Sequence, residues 1–447
     1  MIQAMKHFIY CTIPGLRQQD LTQMPNLQAL VTDGSQQRFT TSFPAVTWPA
    51  QASMLTGKLP SEHGVIANGF YWRDKKEVEM WTAWNDKIEA PQIWDLLHEV
   101  STDIKSLAWF PMLSKGSGAD YICMPKPVHN PDGSESLWCY TQPQEYYGDL
   151  LESIGHFPLK HFWGPLANIK SSQWILESAV KAISDFKPHF SYIYIPHLDY
   201  AAQKLGPNSP AALQSVTELD EALGEMIRGI DKSLGNDNVV WIISSEYVIN
   251  EVDHVTYPNR ILREAGLLNV SFQEDGEHLD LDSPAWALVD HQFSHLFIKN
   301  RCPETIKKVQ HVFQDQDGIA EIIVGEERSK YGLDHERSGD VILVSTSNSW
   351  QAYYWWLDDT KAPGFARTVD IHRKPGYDPV ELHFDMETKS IPLDANLIKG
   401  SHGAPVTDDT QQGVIVSNCS AILEDRDWLD TELCDHLVNT LSKSHHS

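Results

Sequence analysis

Short runs of apolar residues recur along the chain, and each ends at a polar, Gly-rich or Pro-rich turn. The clearest runs cover residues 8–13, 191–195 and 239–243. Uninterrupted apolar runs of this length are typical of strands buried on both faces of a parallel sheet. Ligands of open α/β sheets bind outside the carboxyl ends of such strands. We therefore expect the chemistry of this chain to lie in the residues that directly follow these runs.

Amphipathic stretches that alternate with these runs predict helices. They cover residues 93–100, 172–185 and 211–231. The last stretch carries one apolar stripe at helical spacing, formed by Leu213, Val216, Leu219, Leu223, Met226 and Ile230. A stripe of this kind packs against one neighbouring surface. The alternation predicts an α/β fold, with a mostly parallel central sheet flanked by helices.

Two regions depart from this alternation. Residues 111–170 are rich in Pro, Gly and aromatic residues and show no clear period, so we interpret them as an aromatic-rich insertion. Residues 285–350 predict a strand at 294–299, a helix at 303–314 and strands at 319–324 and 340–345. This pattern predicts a small α+β unit that acts as a cap. The predicted catalytic core comprises residues 1–284 and 351–447.

Charge narrows the classes of function. The 447 residues carry a formal net charge of −26 and no run of Lys or Arg. A nucleic-acid groove needs a basic stripe, so nucleic acid is not an expected partner. A highly anionic small molecule would need metal ions to supply local positive charge.

Three features favour a cytoplasmic protein. The six cysteines are widely spaced and include no CxxC pair, which favours free thiols in a reducing compartment over a disulfide framework. The amino-terminal residues enter a strand-like run without the apolar core of a signal peptide. No apolar run is long enough to span a membrane, so we expect no membrane partner. The oligomeric state is not indicated by the sequence.

Thr47 is the first candidate for a chemical role. Pro44 and Pro49 bracket it in a segment that cannot be regular helix, and a helix is predicted to begin near Pro49 or Ala50. Thr47 would then lie near a helix N-terminus, where free N–H groups and the helix dipole stabilise anions. A hydroxyl at this place could attack phosphorus. The alternative is that Thr47 is only a helix N-cap.

The segment around Thr47 resembles the nucleotide pyrophosphatase/phosphodiesterase branch of the alkaline phosphatase superfamily. The branch has P-x-x-T-x-P, then Thr-Gly, then P-x-x-HG-x-x-x-N. The positions that fall in step are Pro44, Thr47, Pro49, Thr56, Gly57, Pro60, His63, Gly64 and Asn68. The runs at 24–34 and 195–207 also resemble the family. A bacterial subgroup with altered metal-ligand motifs is resembled most, through the runs at 68–74, 195–200, 245–247, 289–292 and 369–382, so the resemblance covers nearly the whole chain. So many matches in register are far more specific than one short motif.

The resemblance implies a hydrolase in which Thr47 is the covalent nucleophile and Asn68 holds the phosphoryl oxygens. Members of the branch bind two divalent ions, typically zinc. One ion is held by Asp, His and His, and the other by Asp, Asp, His and the nucleophile. Asp199 and His402 match ligands of the first site, and Glu246 stands where the second site has an Asp.

Three expected ligands are replaced in this chain. Gln203 stands at the remaining His of the first site, while Pro14 and Tyr247 stand at an Asp and the His of the second. A Gln oxygen is a weak zinc ligand, a neutral Tyr is a poor one, and Pro has no donor. A standard two-zinc centre cannot be assembled from these positions alone.

Replacement ligands are predicted in two other regions of the chain. The candidates are Asp290, His291, His295, Asp370 and His372. The last two form an Asp-x-His pair, which would share one face of a strand. Carboxylate and imidazole groups suit zinc or manganese, so we expect one or two such ions near Thr47. The alternative is that these histidines form hydrogen bonds in the core or lie on the surface.

The leading functional hypothesis is a metal-dependent hydrolase of phosphate diesters or related phosphoryl esters. A small-molecule phosphoryl ester would be attacked by Thr47 to give a phospho-threonine. One alternative is an inactive relative that binds a small ligand in the old pocket, which the losses at Pro14, Gln203 and Tyr247 favour. A further alternative is a phosphonate hydrolase that cleaves a carbon–phosphorus bond.

Overall fold

A computed structural model describes residues 7–129 and 135–445. The strands are β1 His7–Ile13, β2 Ser35–Thr40, β3 Gly69–Trp72, β4 Glu77–Met80, β5 Ser106–Trp109, β6 Tyr121–Pro125, β7 Val128–His129, β8 Glu135–Ser136, β9 Cys139–Gln142, β10 Phe190–Tyr194, β11 Val239–Ser245, β12 Asn250–Glu251, β13 His254–Thr256, β14 Val270–Gln273, β15 Gly276–Leu279, β16 Ala285–Asp290, β17 Phe293–Ile298, β18 Ile319–Val324, β19 Val341–Ser345, β20 Ser349–Gln351, β21 Gly400–Ser401, β22 Gly413–Ser417 and β23 Trp428–Leu429.

Helices alternate with many of these strands. The α-helices are α1 Pro25–Leu30, α2 Thr47–Thr56, α3 Pro60–His63, α4 Ile93–Val100, α5 Tyr146–Ile154, α6 Ile169–Phe186, α7 His197–Leu205, α8 Pro210–Leu234, α9 Pro258–Glu264, α10 Pro303–Phe313 and α11 Asp430–His445. In the described part of the chain, no helix combines the length and apolar character needed to cross a membrane.

Nine strands form the central sheet, in the order β23-β2-β22-β11-β1-β10-β5-β6-β9. The middle of the sheet is parallel. Strand β1 pairs in parallel with β10 and with β11, and strand β5 pairs in parallel with β10 and with β6. Strands β22 and β9 are antiparallel to their neighbours β11 and β6. Side chains of α4, α6, α8 and α11 bury their apolar faces in the same core. The predicted α/β fold with a mostly parallel, helix-flanked sheet is confirmed.

The elements predicted from apolar periodicity are present. The three buried runs correspond to β1, β10 and β11, and every residue of β10 and β11 is buried. The three amphipathic stretches correspond to α4, α6 and α8. The stripe of α8 is buried except at Leu213, which is half-buried. Local periodicity was sufficient here because each element faces a single core.

The region 285–350 contains a separate antiparallel sheet of four strands, in the order β16-β17-β19-β18. The predicted strands and the helix α10 are present, and β16 is an additional strand that the sequence pattern did not predict. A second apolar core lies between this sheet and segments that precede and follow it in the sequence, among them α9 and residues 350–356.

The insertion predicted at 111–170 is in part an edge of the central sheet. Strands β6 and β9 lie in this region and extend the sheet beyond β5. Both strands are short, and β9 alternates buried and half-buried residues. Aromatic residues and turns around such short strands leave no period in the sequence that could have been recognised.

The helix after Pro44 begins earlier than predicted. Helix α2 begins at Thr47, and Val46 is its extended N-cap residue. Pro49 is therefore the third helical residue rather than the first. A proline is tolerated there because the first N–H groups of a helix have no intrahelical partner.

The segment between residues 370 and 381 is held by a buried lysine. Lys374 is 1% exposed, and its Nζ lies 2.8 Å from Asp378 Oδ2 and 2.6 Å from Glu381 Oε1. Glu381 Oε1 also accepts a hydrogen bond from the Asp370 N–H. The lysine thus fixes both ends of this segment, which reaches the candidate site through Tyr377.

We expect Lys374→Met to destabilise the protein by about 3 kcal/mol, because it leaves two buried carboxylates without their cation. Urea denaturation monitored by tryptophan fluorescence measures this loss. The control is Arg373→Met, since Arg373 is 73% exposed and an exposed ion pair contributes at most about 1 kcal/mol. Equal midpoints for the two variants would contradict the anchoring role of Lys374.

Candidate active site

The N-terminus of α2 lies at the carboxyl end of the parallel strands. Asp199 follows β10 as the third residue of α7, and Glu246 and Tyr247 follow β11 directly. Thr47 is the first residue of α2 and is 6% exposed. Asp199, Glu246 and Tyr247 meet the expectation that polar residues after the buried strands gather at one edge of the sheet, and Thr47 joins them from the start of α2.

Asn68 is fixed against the start of α2. Its Oδ1 accepts a hydrogen bond from the Trp48 N–H at 3.0 Å. Its own N–H donates to Asp290 Oδ2 at 2.8 Å, and its Nδ2 donates to Asp290 Oδ1 at 3.2 Å. An amide nitrogen has two protons, so one remains for a ligand near Thr47. Asp290 therefore orients Asn68.

The Thr47 hydroxyl contacts a tyrosine. Thr47 Oγ1 lies 3.1 Å from the Tyr247 hydroxyl oxygen, and the Tyr247 hydroxyl donates to Asp199 Oδ1 at 3.4 Å. Tyr247 has a single proton to donate, so Thr47 is the donor in the first contact. A phenol hydroxyl thus lies between the candidate nucleophile and a buried carboxyl group.

Four aromatic rings pack in a row beside Thr47. Tyr247 stacks on His402 with ring centroids 3.7 Å apart. His402 contacts His291 at 3.9 Å, and His291 stacks on Tyr377 at 4.0 Å. His291 also hydrogen-bonds Asp290 Oδ1 through Nδ1 at 2.6 Å. The row links the sheet edge to the loop around residue 377.

His402 has one ring nitrogen engaged. Its Nδ1 lies 2.8 Å from the Ala45 carbonyl oxygen and donates to it. Burial lowers the pKa of His402, so the ring stays neutral and Nε2 keeps a lone pair. Nε2 lies 3.9 Å from Asp199 Oδ1 and has no hydrogen-bond partner among the described residues.

The site holds three buried carboxyl groups. Burial raises the pKa of Asp199 to about 7, that of Glu246 to about 8 and that of Asp290 to about 6. Glu246 Oε1 accepts from Gln51 Nε2 at 2.6 Å and from Thr12 Oγ1 at 3.0 Å. In the described part of the chain, none of the three forms an ion pair with lysine or arginine.

The arrangement does not fit the predicted metal centre. Across residues 7–129 and 135–445, no group of three or more His, Cys, Asp or Glu side chains is arranged to hold an ion. Asp199 and His402 form a pair, and Gln203 turns its Oε1 to the Tyr377 hydroxyl, 2.8 Å away. The predicted zinc or manganese ion would therefore have two protein ligands here, whereas a zinc site needs at least three.

Several predicted ligands have other partners. Both ring nitrogens of His295 are engaged, Nε2 with the Ile66 carbonyl at 2.9 Å and Nδ1 with the Gly339 N–H at 3.2 Å. His372 Nδ1 contacts the Met80 carbonyl at 3.2 Å. The expected strand at Asp370 is wrong, because Asp370 Oδ1 accepts from the N–H groups of the next turn. The structure brings Asp199, Glu246, Asp290, His291 and His402 together with Thr47 and Asn68, but shows no such contact for His295, Asp370 or His372.

Tyr377 and Gln51 belong to the site but were not identified from the sequence. Tyr377 stacks on His291 and donates a hydrogen bond to Gln203. Gln51 donates a hydrogen bond to Glu246, and its position one turn after Thr47 is the one feature of the sequence that could have indicated it. Tyr377 lies in the 369–382 run that contributed to the resemblance, which was the available signal. A narrow cleft of about 10 Å³ opens beside Tyr247 and is lined by Ala45, Gly403 and Ala404 among others.

The fold and the threonine-centred site define an α/β protein with a candidate phosphoryl-transfer nucleophile. Residues 11–378 match the family model described as type I phosphodiesterase / nucleotide pyrophosphatase, and the chain belongs to this family.

Curated relatives are distant in sequence and longer than this chain. An uncharacterized pyrophosphatase/phosphodiesterase of Schizosaccharomyces pombe is 25% identical over 52% of this chain and 40% of its own length. Ectonucleotide pyrophosphatase/phosphodiesterase 2 of Saccharomyces cerevisiae is 26% identical over 74% of this chain and 59% of its own length. The chain thus spans less than two thirds of either relative.

Solved structures share the fold. Human ectonucleotide pyrophosphatase/phosphodiesterase 5 aligns with a TM-score of 0.64 at 14% identity, covering 97% of this chain and 94% of its own. Phosphonoacetate hydrolase from Sinorhizobium meliloti, in complex with phosphonoformate, aligns with a TM-score of 0.61 at 15% identity, covering 98% and 96%. Both belong to the superfamily that the sequence resembles.

The raised pKa of Glu246 predicts a pH-dependent stability. Its pKa is about 8 in the folded protein against a usual value of 4.5, so the folded state favours the protonated acid. The contribution to stability is complete below pH 4.5 and is lost as the pH rises towards 8. At alkaline pH, we expect the free energy of unfolding of Glu246→Gln to exceed that of the wild type by on the order of a few kcal/mol.

Denaturant unfolding of both proteins between pH 4 and pH 9 measures this difference. Glu246→Gln keeps the acceptor oxygen for Gln51 and Thr12, so its stability should fall less steeply with pH than that of the wild type. Glu221→Gln, at an exposed position of α8, is the control and should keep the wild-type slope. Parallel pH profiles for all three proteins would contradict the assignment.

Proposed function

We propose that this chain hydrolyses phosphoryl esters and that Thr47 Oγ1 is the nucleophile. The observation that carries the proposal is the contact of Thr47 with Tyr247 and, through it, with Asp199. Membership of the phosphodiesterase family supports the class of reaction. A hydroxyl at the first position of a helix also lies where free N–H groups favour a phosphoryl anion.

The proton of the nucleophile has a path in this geometry. As Thr47 Oγ1 attacks phosphorus, its proton passes to the Tyr247 oxygen, and the Tyr247 proton passes to Asp199 Oδ1. A carboxyl group with a pKa of about 7 is a suitable acceptor near neutral pH. The ester oxygen leaves with its electron pair and takes a proton from solvent water, and a phospho-threonine remains. Water then attacks phosphorus and gives one proton back to solvent, Thr47 Oγ1 leaves with the electron pair of the P–O bond, and the proton on Asp199 returns through Tyr247 to Thr47.

Asn68 and the start of α2 are expected to stabilise the charge on the transferred group. The second Nδ2 proton of Asn68 can donate to a phosphoryl oxygen, because Asp290 uses the first. Donors that are already oriented stabilise developing charge without reorganisation. The ordered contact between Asn68 and Trp48 keeps this donor next to Thr47.

The charge of the site favours diesters over monoesters. Three buried carboxyl groups lie near Thr47 without an ion pair to lysine or arginine in the described residues. A monoester dianion is repelled more strongly than a diester monoanion when these groups ionise. A small-molecule phosphate diester is therefore the proposed substrate, and phosphonoacetate is a further compound to assay.

A second candidate function is ligand binding without turnover. It is favoured by the incomplete ligand set at Asp199 and His402 and by the tyrosine at position 247. In this case a phosphoryl compound would bind beside Thr47 without cleavage. Turnover by the wild type, compared with the variants below, separates the two candidates.

We expect Thr47→Ala to lose at least about 10³-fold in kcat on bis-p-nitrophenyl phosphate, since the attacking oxygen is removed. The purified protein is assayed with chelator, with zinc and with manganese, and with p-nitrophenyl phosphate and phosphonoacetate for comparison. Acid quenching followed by peptide mass spectrometry tests for phosphate on Thr47.

Two variants serve as controls for Thr47→Ala. Thr47→Ser keeps a nucleophilic hydroxyl, and Thr56→Ala removes a buried hydroxyl at the opposite end of α2, where it binds the Ala52 carbonyl. Both should retain turnover. Equal activity of wild type and Thr47→Ala under every metal condition would contradict the hydrolase proposal.

Tyr247→Phe should lower kcat by about 10²-fold with little change in KM, because it removes the hydroxyl of the proton path and keeps the ring on His402. The control is Tyr10→Phe, which removes a buried hydroxyl bound to Ser244 on the sheet. Steady-state kinetics over a pH series measures both. An unchanged kcat in Tyr247→Phe would exclude Tyr247 from the proton path.

A further inference from the structure

Building on the proposed function, we infer that the nucleophile of this chain is held by a tyrosine hydroxyl in place of a metal ion. The Tyr247 hydroxyl oxygen lies 3.1 Å from Thr47 Oγ1, which is hydrogen-bonding distance. Asp199 and His402 lie beside it and could supply two ligands for a cation. Gln203 occupies the position from which a third ligand would come.

Among the described residues, the nucleophile side of the site has no group of three His, Cys, Asp or Glu side chains that could hold a cation. Pro14, directly after β1, has no side-chain donor. Glu246 engages Oε1 with Gln51 and Thr12, which leaves only Oε2 without a partner in the described residues. The Tyr247 ring is fixed by its stack on His402, so its hydroxyl cannot withdraw without breaking that contact. A metal ion on Thr47 Oγ1 would therefore compete with the Tyr247 hydroxyl for this oxygen.

The opposite side of the site is closer to a metal site. His402 presents the unpartnered Nε2 towards Asp199, and the two atoms are 3.9 Å apart. This is a carboxylate and an imidazole of the kind that zinc accepts. Two protein ligands are fewer than the three that catalytic zinc sites use. We expect the wild type to bind zinc only weakly.

Position 203 is where the third ligand is missing. Asp199 and Gln203 are four residues apart on α7, so their side chains lie on the same face of the helix. Gln203 is 1% exposed, and its Nε2 has no hydrogen-bond partner among the described residues, while its Oε1 binds Tyr377. A histidine or carboxylate at this position would face the same pair of ligands.

The experiment measures metal binding rather than turnover. Wild type, Gln203→His and Gln203→Glu are purified as full chains, passed through a chelating resin and equilibrated with zinc. Bound zinc is measured by mass spectrometry of the element and by competition with a chromophoric chelator. Leu205→His is the control, since it adds a histidine to the same helix at a side chain that is 50% exposed.

We expect wild type and Leu205→His to retain far less than one zinc per chain. Gln203→His or Gln203→Glu should bind one zinc at least about tenfold more tightly than the wild type. Circular dichroism and thermal unfolding confirm that each variant is folded, and the glutamate variant is closest in shape to glutamine. Binding by either folded variant supports the inference.

Two results would overturn the inference. One is stoichiometric zinc or manganese in the wild type that Asp199→Asn removes, because a metal centre would then already exist. The other is a folded pair of position-203 variants that bind zinc no more tightly than Leu205→His does. This experiment measures zinc binding and does not measure turnover. An inactive wild type would therefore contradict the proposed hydrolase function without changing the conclusion drawn from zinc binding.

Discussion

Three carboxyl groups are buried at one edge of the central sheet without a lysine or arginine partner in the described residues, and the surrounding structure compensates for this. A buried charge without a partner is strongly unfavourable, so such groups take hydrogen bonds or stay protonated. Glu246 takes donors from Gln51 and Thr12, and Asp290 takes two from Asn68. Each donor belongs to a different element. The carboxylates thereby hold α2, the start of β3 and the strand ends in one fixed arrangement.

The four-stranded unit takes part in the site rather than only covering it. Asp290 ends β16, and His291 has a positive φ of 55° in the turn to β17. This turn is tied to the core by the Gln292 N–H, which donates to the His402 carbonyl. The same turn orients Asn68 and stacks His291 between His402 and Tyr377. Residues far apart in the sequence therefore depend on one hairpin for their placement.

The sheet and its main helices could be predicted from the sequence because they follow from local periodicity. The site residues after each strand could be predicted because ligands of such sheets bind outside the carboxyl ends of the strands. Motif spacing also identified Thr47, Asn68, Asp199 and His402 as neighbours. It could not show that Asp290 serves Asn68, that His295 is fully engaged by backbone groups, or that Asp370 lies in a turn. Motif spacing alone treats every His or Asp as available to bind a metal ion. Burial and competing hydrogen bonds decide which of these side chains are available in the folded protein.

Under the proposed function, the tyrosine at position 247 would let the nucleophile segment persist while the ligand set changes. A metal ion and a hydroxyl can both hold Thr47 Oγ1, but a hydroxyl brings no net charge. The site then keeps its acids protonated or hydrogen-bonded instead of neutralised by a cation, which agrees with the raised pKa values of Asp199 and Glu246. Such a site repels anions less at low pH than at high pH, since protonation removes its charge. Under the proposed function, the preference for a substrate of lower charge would therefore follow from these buried acids, which have no lysine or arginine partner in the described residues.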